Sequence, residues 1–126
     1  MTPSQTTIKK GLELLLWQLL AENERLTVEV QTDSLTGARN RRAYDQRTAK
    51  LTGAESFIFV DVDKFKQVND TYGHAVGDEV LRAIARVIRA HVDVLYRLDG
   101  DEFCVILEAP LSTAQQVACP IQQAVL

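Results

Sequence analysis

Two groups of carboxylates are the residues in this sequence most able to do chemistry. Asp61 and Asp63 close an apolar run, Ser56 to Val62. Asp101 and Glu102 follow an Asp99-Gly100 pair lying between two further strand-like runs, Val92 to Leu98 and Glu102 to Leu107. Asp-Gly between alternating runs is a tight-hairpin signal, because both residues tolerate positive φ. If that hairpin pairs beside the first run, Asp61, Asp101 and Glu102 meet at one end of a sheet. Carboxylates buried at strand ends are costly unless a cation neutralises them. An all-oxygen set of this kind suits Mg²⁺ or Mn²⁺, with phosphates of a substrate completing the shell. On spacing alone a surface hairpin with solvated acids outranks a metal site, and only the convergence of the two acidic elements favours the site.

The elements that would position these acids can be read in outline. Ser56 to Val62 is apolar at every other position and between, which suits a central strand covered on both faces. Lys64 to Val76 reads as a helical turn and a loop containing Asn69, Asp70, Gly73 and His74. Asp78 then opens an amphipathic helix whose core stripe is Leu81, Ile84, Ala85 and Ile88. A last helix starts near Ser112 and is interrupted by Pro120. Upstream, Asp33-Ser34-Leu35-Thr36-Gly37 is a cluster of turn and capping residues, with a short helix starting near Asn40.

Residues 6 to 31 form a helix of their own. Leu12, Leu19 and Leu26 fall at d positions and Leu16, Asn23 and Val30 at a positions of a heptad pattern. A single Asn at an a position fits a parallel dimer held in register. With about three heptads, packing of the leucines on the chain's own domain carries nearly equal weight. The domain division implied is 1–31 as a dimerising segment and 32–126 as the globular part.

The bulk composition sets outer limits. With 126 residues, 46% hydrophobic and 25% charged, the chain has room for one modest core. A formal charge of -3 provides no broad basic field, which argues against nucleic acid as a partner. A small phosphorylated ligand remains compatible, since a metal and a few backbone amides can meet its charge locally. The apolar stretch Leu14 to Leu20 is too short to span a bilayer and lacks the cleavage site of a signal peptide. Cys104 and Cys119 have no metal-ligand spacing and read as small core residues of a cytoplasmic protein.

Four ordered motifs add a resemblance. Thr32-Asp33-Ser34-Leu35-Thr36-Gly37-Ala38-Arg39-Asn40-Arg41-Arg42, Asp61-Val62-Asp63-Lys64-Phe65-Lys66-Gln67-Val68-Asn69-Asp70, Gly73-His74 with Gly77-Asp78, and Arg97-Leu98-Asp99-Gly100-Asp101-Glu102-Phe103 together resemble the GGDEF family of diguanylate cyclases. The resemblance covers Thr32 to about Ser112. It implies a palm-like α/β sandwich with a mostly antiparallel central sheet, preceded here by the long helix. It also implies condensation of two GTP into cyclic di-GMP, one GTP per protomer of an antiparallel pair of domains. In that reading Asp61, Asp101 and the Val62 carbonyl hold Mg²⁺ or Mn²⁺, and Glu102 helps to activate the attacking 3′ hydroxyl. Backbone amides around Lys64 and Phe65, with Lys66 and Gly100, face the phosphates, while Asn69 and Asp78 read the guanine. Metal pairs of this kind stabilise both the attacking and the leaving oxygen. Each residue also has a plainer role: Asp78 as a helix N-cap, Asn69 as a turn residue, Lys66 as a solvated charge, His74 as structural.

Three departures from the family pattern bear on activity. Asp99 replaces the first glycine of the signature, and two like charges about 4 Å apart repel by up to ~4 kcal/mol at an effective dielectric near 20. The last strand and helix of the usual fold, with their basic phosphate contacts, are expected to be absent. That would leave an uncovered edge on the strand from Phe57. In place of an Arg-x-x-Asp product site, Ala90 precedes Asp93, with Arg89 one position off. An active cyclase is therefore set against a catalytically silent nucleotide sensor or interaction module on the same fold.

Overall fold

The computed structural model describes residues 3–125. They divide between Gln31 and Thr32 into two compact units. The first is one helix, α1 (Pro3–Gln31), of 29 residues. At 1.5 Å per residue it is about 43 Å long. Its heptad leucines Leu12, Leu16, Leu19 and Leu26 are all at least 46% exposed, as are Leu14, Leu15, Trp17 and Leu20. No helix among the described residues is long and apolar enough to cross a membrane.

The second unit is built in layers around a three-stranded antiparallel sheet. In chain order its elements are α2 (Arg41–Thr48), β1 (Ser56–Asp61), α3 (Phe65–Tyr72), α4 (His74–Arg89), β2 (Tyr96–Asp99), β3 (Glu102–Leu107) and α5 (Leu111–Val125). The strand order is β1-β3-β2, so β3 is central. Its run Phe103-Cys104-Val105 is buried on both faces. Phe103 and Val105 join Leu81, Ile84, Ala85 and Ile88 of α4 and Ile121 of α5 in the larger core. Cys104 faces the other way, into a smaller core with Ala43 of α2 and Tyr96. Tyr44 meets Tyr96 edge to face there, with ring centroids 5.8 Å apart. Continuous apolarity, rather than alternation, is what a strand covered on both sides requires.

The uncovered edge expected on the strand from Phe57 is present: β1 pairs with β3 along Ser56↔Leu107 to Asp61↔Glu102, and no described strand lies on its other side. Several other local expectations are corrected. Ile58 and Val60 pack into the larger core, but Phe59 is 64% exposed, so the apolar run reflects one covered face and one partly open one. The helical turn expected after Lys64 is present but longer: the two-turn helix α3 also takes in Asn69 and Asp70, which were expected in the loop. Gly73, at φ 90°, turns the chain directly into α4, which starts at His74 and not at Asp78. That backbone conformation suits glycine. His74 and the free thiol Cys119 are exposed, whereas the free thiol Cys104 is buried. Pro120 does not end α5: its missing N–H costs a hydrogen bond, but Ala114 and Ile121 are buried on either side of it and Val117 packs on the core. Tertiary packing offsets the local penalty.

The turn leading into β1 is fixed by one carboxylate. Glu55 accepts hydrogen bonds from the Thr52 N–H (3.0 Å) and hydroxyl (2.9 Å), and from Arg47 (3.3 Å), whose other nitrogen reaches Glu108 (3.2 Å). The Thr52 amide first, then its hydroxyl and Arg47, outweigh desolvation and hold Glu55 down at about 2. A carboxyl whose folded value is lowered contributes stability that is complete above its ordinary value of 4.5 and is lost as pH falls towards about 2. Acid titration of unfolding should therefore show a stability loss across that window, which Glu55→Gln removes. An identical pH profile for the variant would exclude this carboxylate as the source.

Candidate active site

β1 and the β2–β3 hairpin bring the acids to one end of the sheet. Asp61 stands opposite Glu102 in the ladder, and the Val62 N–H donates to the Asp101 carbonyl at 3.1 Å. Asp61 and Glu102 are exposed and Asp101 is half-buried. The expectation of buried carboxylates is thus corrected: these acids lie at an open corner, where no desolvation cost forces a cation on them. Among the described residues no three His, Cys, Asp or Glu side chains form a cluster suited to a metal ion. A smaller set, the Asp61 and Asp101 carboxylates with the Val62 carbonyl, consists of hard oxygens only, and its chemistry fits Mg²⁺ or Mn²⁺ rather than a softer metal.

The hairpin differs from the one expected. Its tip is Gly100-Asp101 and neither Asp99 nor Gly100 has positive φ, so it is not the primed turn that Asp-Gly suggests. Between Arg97↔Phe103 and Asp99↔Glu102 the register shifts by one, leaving Leu98 as a bulge. The Asp99 carboxylate accepts the Gly100 N–H at 2.8 Å.

From Asp61 the chain passes through Val62 and Asp63 to Lys64, which takes a left-handed backbone (φ 59°, ψ 28°). It is the only described non-glycine residue with positive φ. Such a conformation is uncommon outside glycine, asparagine and aspartate and is held here by its surroundings. Lys64 sits at the N-terminus of α3, which no side chain caps. Lys64 and Lys66 are exposed and Phe65 packs against the larger core.

A second polar group lies between α3 and α4. The Asn69 Oδ1 is buried and has no hydrogen-bond partner. It lies against Gly77: a Cβ built on Gly77 would come within 1.8 Å of that oxygen and 3.3 Å of Phe65 Cζ. Asp78, half-buried, follows in the second turn of α4 and is not its N-cap, a place that Gly73 takes. Asn69 and Gly77 thus meet across α3 and α4, and Asp78 follows Gly77 in sequence. A cavity of about 680 Å³ runs along β1, lined by Ile58, Val60, Val80, Ile84, Ala118 and Ile121. It reaches the acidic corner, where Asp61, Val62 and Asp63 line it, but Asp101, Glu102 and Asn69 do not.

The turn expected at residues 33–37 is tied to β2 by an ion pair. Asp33 accepts the Thr36 N–H (3.0 Å) and hydroxyl (2.6 Å), and both its oxygens accept from Arg97 Nη1 at 3.1 Å. Burial alone would raise the Asp33 pKa, yet the Thr36 and Arg97 hydrogen bonds hold it below the usual value. The Asp-x-x-Thr spacing is the signal of this turn, whereas nothing local announces the pairing of Asp33 with Arg97. Arg89, the residue one position off the product-site pattern, lies beside the same turn, its Nη1 3.5 Å from the Thr36 carbonyl.

Comparison with known proteins places this geometry. The family described as "Diguanylate cyclase, GGDEF domain" matches residues 30–126. Diguanylate cyclase DgcS of Shewanella oneidensis is 35% identical over 127 residues, covering 90% of this chain and 43% of that protein. Diguanylate cyclase TpbB of Pseudomonas aeruginosa is 42% identical over 113 residues, covering 80% of this chain and 26% of that protein. The chain thus spans less than half the length of these curated relatives. The crystal structure of the coiled coil and GGDEF domain of DgcB from Caulobacter crescentus, in complex with c-di-GMP, superposes with a TM-score of 0.74 at 28% identity, over 94% of this chain and 68% of that one. The layered antiparallel sheet is therefore that of a palm-like α/β domain. The chain belongs to the GGDEF family.

Gly77 supplies a direct check on the α3–α4 group. Mid-helix glycine is ordinarily worse than alanine by about 1 kcal/mol, so Gly77→Ala would stabilise a helix with room for the methyl. Here the methyl displaces Asn69, and overpacking of this kind costs about 1–3 kcal/mol. Urea unfolding of Gly77→Ala should show a net loss, with Asn69→Ala in the same chain recovering most of it. A stabilised single variant would mean that Asn69 does not occupy this position in solution.

Proposed function

We propose that the chain is a metal-dependent diguanylate cyclase that condenses two GTP into cyclic di-GMP with release of pyrophosphate. The observation that carries this reading is the open acidic corner, with Asp61 opposite Glu102 and Val62 bonded to Asp101, in a chain of this family. Asp61, Asp101 and the Val62 carbonyl would hold Mg²⁺ or Mn²⁺. When bound, such ions supply charge stabilisation at the attacking and leaving oxygens of phosphoryl transfer. Glu102, exposed beside Asp101, is free to accept the proton of the 3′ hydroxyl. Lys66, Gly100 and the uncapped amides after Lys64 offer positive or donor groups to the phosphates. The unsatisfied Asn69 oxygen suits the ring N–H or amino donors of guanine, and Asp78, next to Gly77 on α4, would supply a second acceptor. A cytoplasmic setting, where GTP is abundant, agrees with two free thiols.

The reaction needs two GTP molecules on two domains facing each other. The exposed heptad leucines of α1 fit a homodimer that holds the second domain at high effective concentration. A catalytically silent nucleotide-binding module is the second reading, favoured by Asp99 in place of the family's first glycine.

Incubation with GTP and Mg²⁺ or Mn²⁺ should yield cyclic di-GMP by chromatography. Asp61→Asn and Asp101→Asn should each abolish metal-dependent GTP binding in calorimetry. Binding without product assigns the silent module, and binding indifferent to chelator removes the metal site. In sedimentation, Leu19→Glu should convert a dimer into a monomer. An unaltered sedimentation coefficient would assign the leucines to another surface.

A further inference from the structure

The tip carrying Asp101 and Glu102 is held by side chains, because the Leu98 bulge interrupts the backbone ladder just before it. The Gly100 carbonyl accepts from Arg97 Nε at 3.2 Å and from Nη2 at 2.8 Å. The N–H of the same residue donates to the Asp99 carboxylate at 2.8 Å. Arg97 Nη1 donates to both oxygens of Asp33, so every nitrogen of the guanidinium is engaged. The Arg97 and Asp33 side chains are only 17% and 19% exposed, whereas Asp99 and Gly100 are exposed. A shielded ion pair thus reaches out to hold an otherwise open turn. One residue on, the Asp101 carbonyl accepts the Val62 N–H at 3.1 Å, which ties the tip to the end of β1.

We propose that Arg97 and Asp99, anchored through Asp33, are positioning residues that clamp Gly100 by both its polar backbone groups and thereby set where Asp101 and Glu102 stand. The proposal rests on the reading of those two acids as the working groups of a cyclase. It changes the meaning of Asp99. As a bare charge near a triphosphate, this carboxylate would weaken binding, and any neutral replacement would help. As half of a clamp, it supplies the acceptor for Gly100, and only a replacement that keeps an acceptor preserves the tip. Arg97 cannot be exchanged for lysine on the same terms, since an ammonium lacks the planar fork that serves Asp33 and Gly100 together.

The test uses the full chain with Arg97→Lys, Asp99→Ala and Asp99→Asn. NMR measurement of amide solvent exchange reads the clamp without turnover: the Gly100 N–H reports its bond to Asp99, and the Val62 N–H reports the seat of Asp101. Arg97→Lys should speed exchange at Val62, and Asp99→Ala at Gly100, with the amides of the α4 core unchanged. In the cyclase assay both should lower kcat by roughly ten- to a hundredfold with KM moved less than about threefold, as expected of misplaced reacting groups. Asp99→Asn should restore most of what Asp99→Ala loses. Unchanged exchange at both amides, or tighter GTP binding in both Asp99 variants, would overturn the clamp. If the parent chain makes no product, the cyclase reading fails, while the exchange rates still decide whether the clamp exists.

Discussion

The structure of residues 32–125 hangs on β3, whose residues bond to a strand on each edge and pack against a layer on each face. Phe103, Cys104 and Val105 are the consequence: all three are at most 1% exposed. Complete burial of an apolar side chain of this size contributes about 1.5–3 kcal/mol, and a backbone N–H or C=O left unpaired there would cancel a comparable amount. The central strand must therefore keep both its neighbours. The same register that satisfies β3 sets Asp61 beside Glu102, so the position of the acids follows from how the core is satisfied.

That dependence explains what could be read in advance. The long helix, the antiparallel sheet and the α4 stripe Leu81, Ile84, Ala85 and Ile88 follow from periodicity, which local sequence carries directly. The acids could be brought to one sheet end because strand pairing needs only a hairpin and a neighbour. The open face of β1 at Phe59 is not legible. An unbroken apolar run looks the same whether one face is covered or both, and only the packing partners distinguish the two. The start of α4 is hidden in the sequence because Gly73 reads as part of a loop, whereas its positive φ joins two helices directly. Pro120 misleads for a similar reason: local propensity yields to the packing of Ile121 and Val117.

The polar details of the site were the least legible. Nothing in the order Arg97-Leu98-Asp99-Gly100 announces a bulge at Leu98, since bulges arise from the competition between turn and register. The bond from Asp99 to Gly100 replaces the positive φ that an Asp-Gly turn would otherwise be assigned. Lys64 is a comparable case. Its left-handed backbone redirects the chain from β1 into α3, and no composition rule would select lysine for that place. Both features sit next to the acids, where departures from local preference are expected if geometry there is under functional constraint.

The two thiols supply the molecule with an internal gauge. Burial raises the Cys104 thiol to about 11 and shuts it inside the sheet, while Cys119 lies open on α5. A thiol reagent added to the native chain meets Cys119 at once. It reaches Cys104 only when β3 parts from the layer on α2, so the lag between the two labels times the opening of the central strand, in the same chain and the same tube. A ligand that tightened the acidic end of β3 would lengthen that lag, so occupancy of that end would become readable as chemical reactivity at a thiol buried further along the same strand.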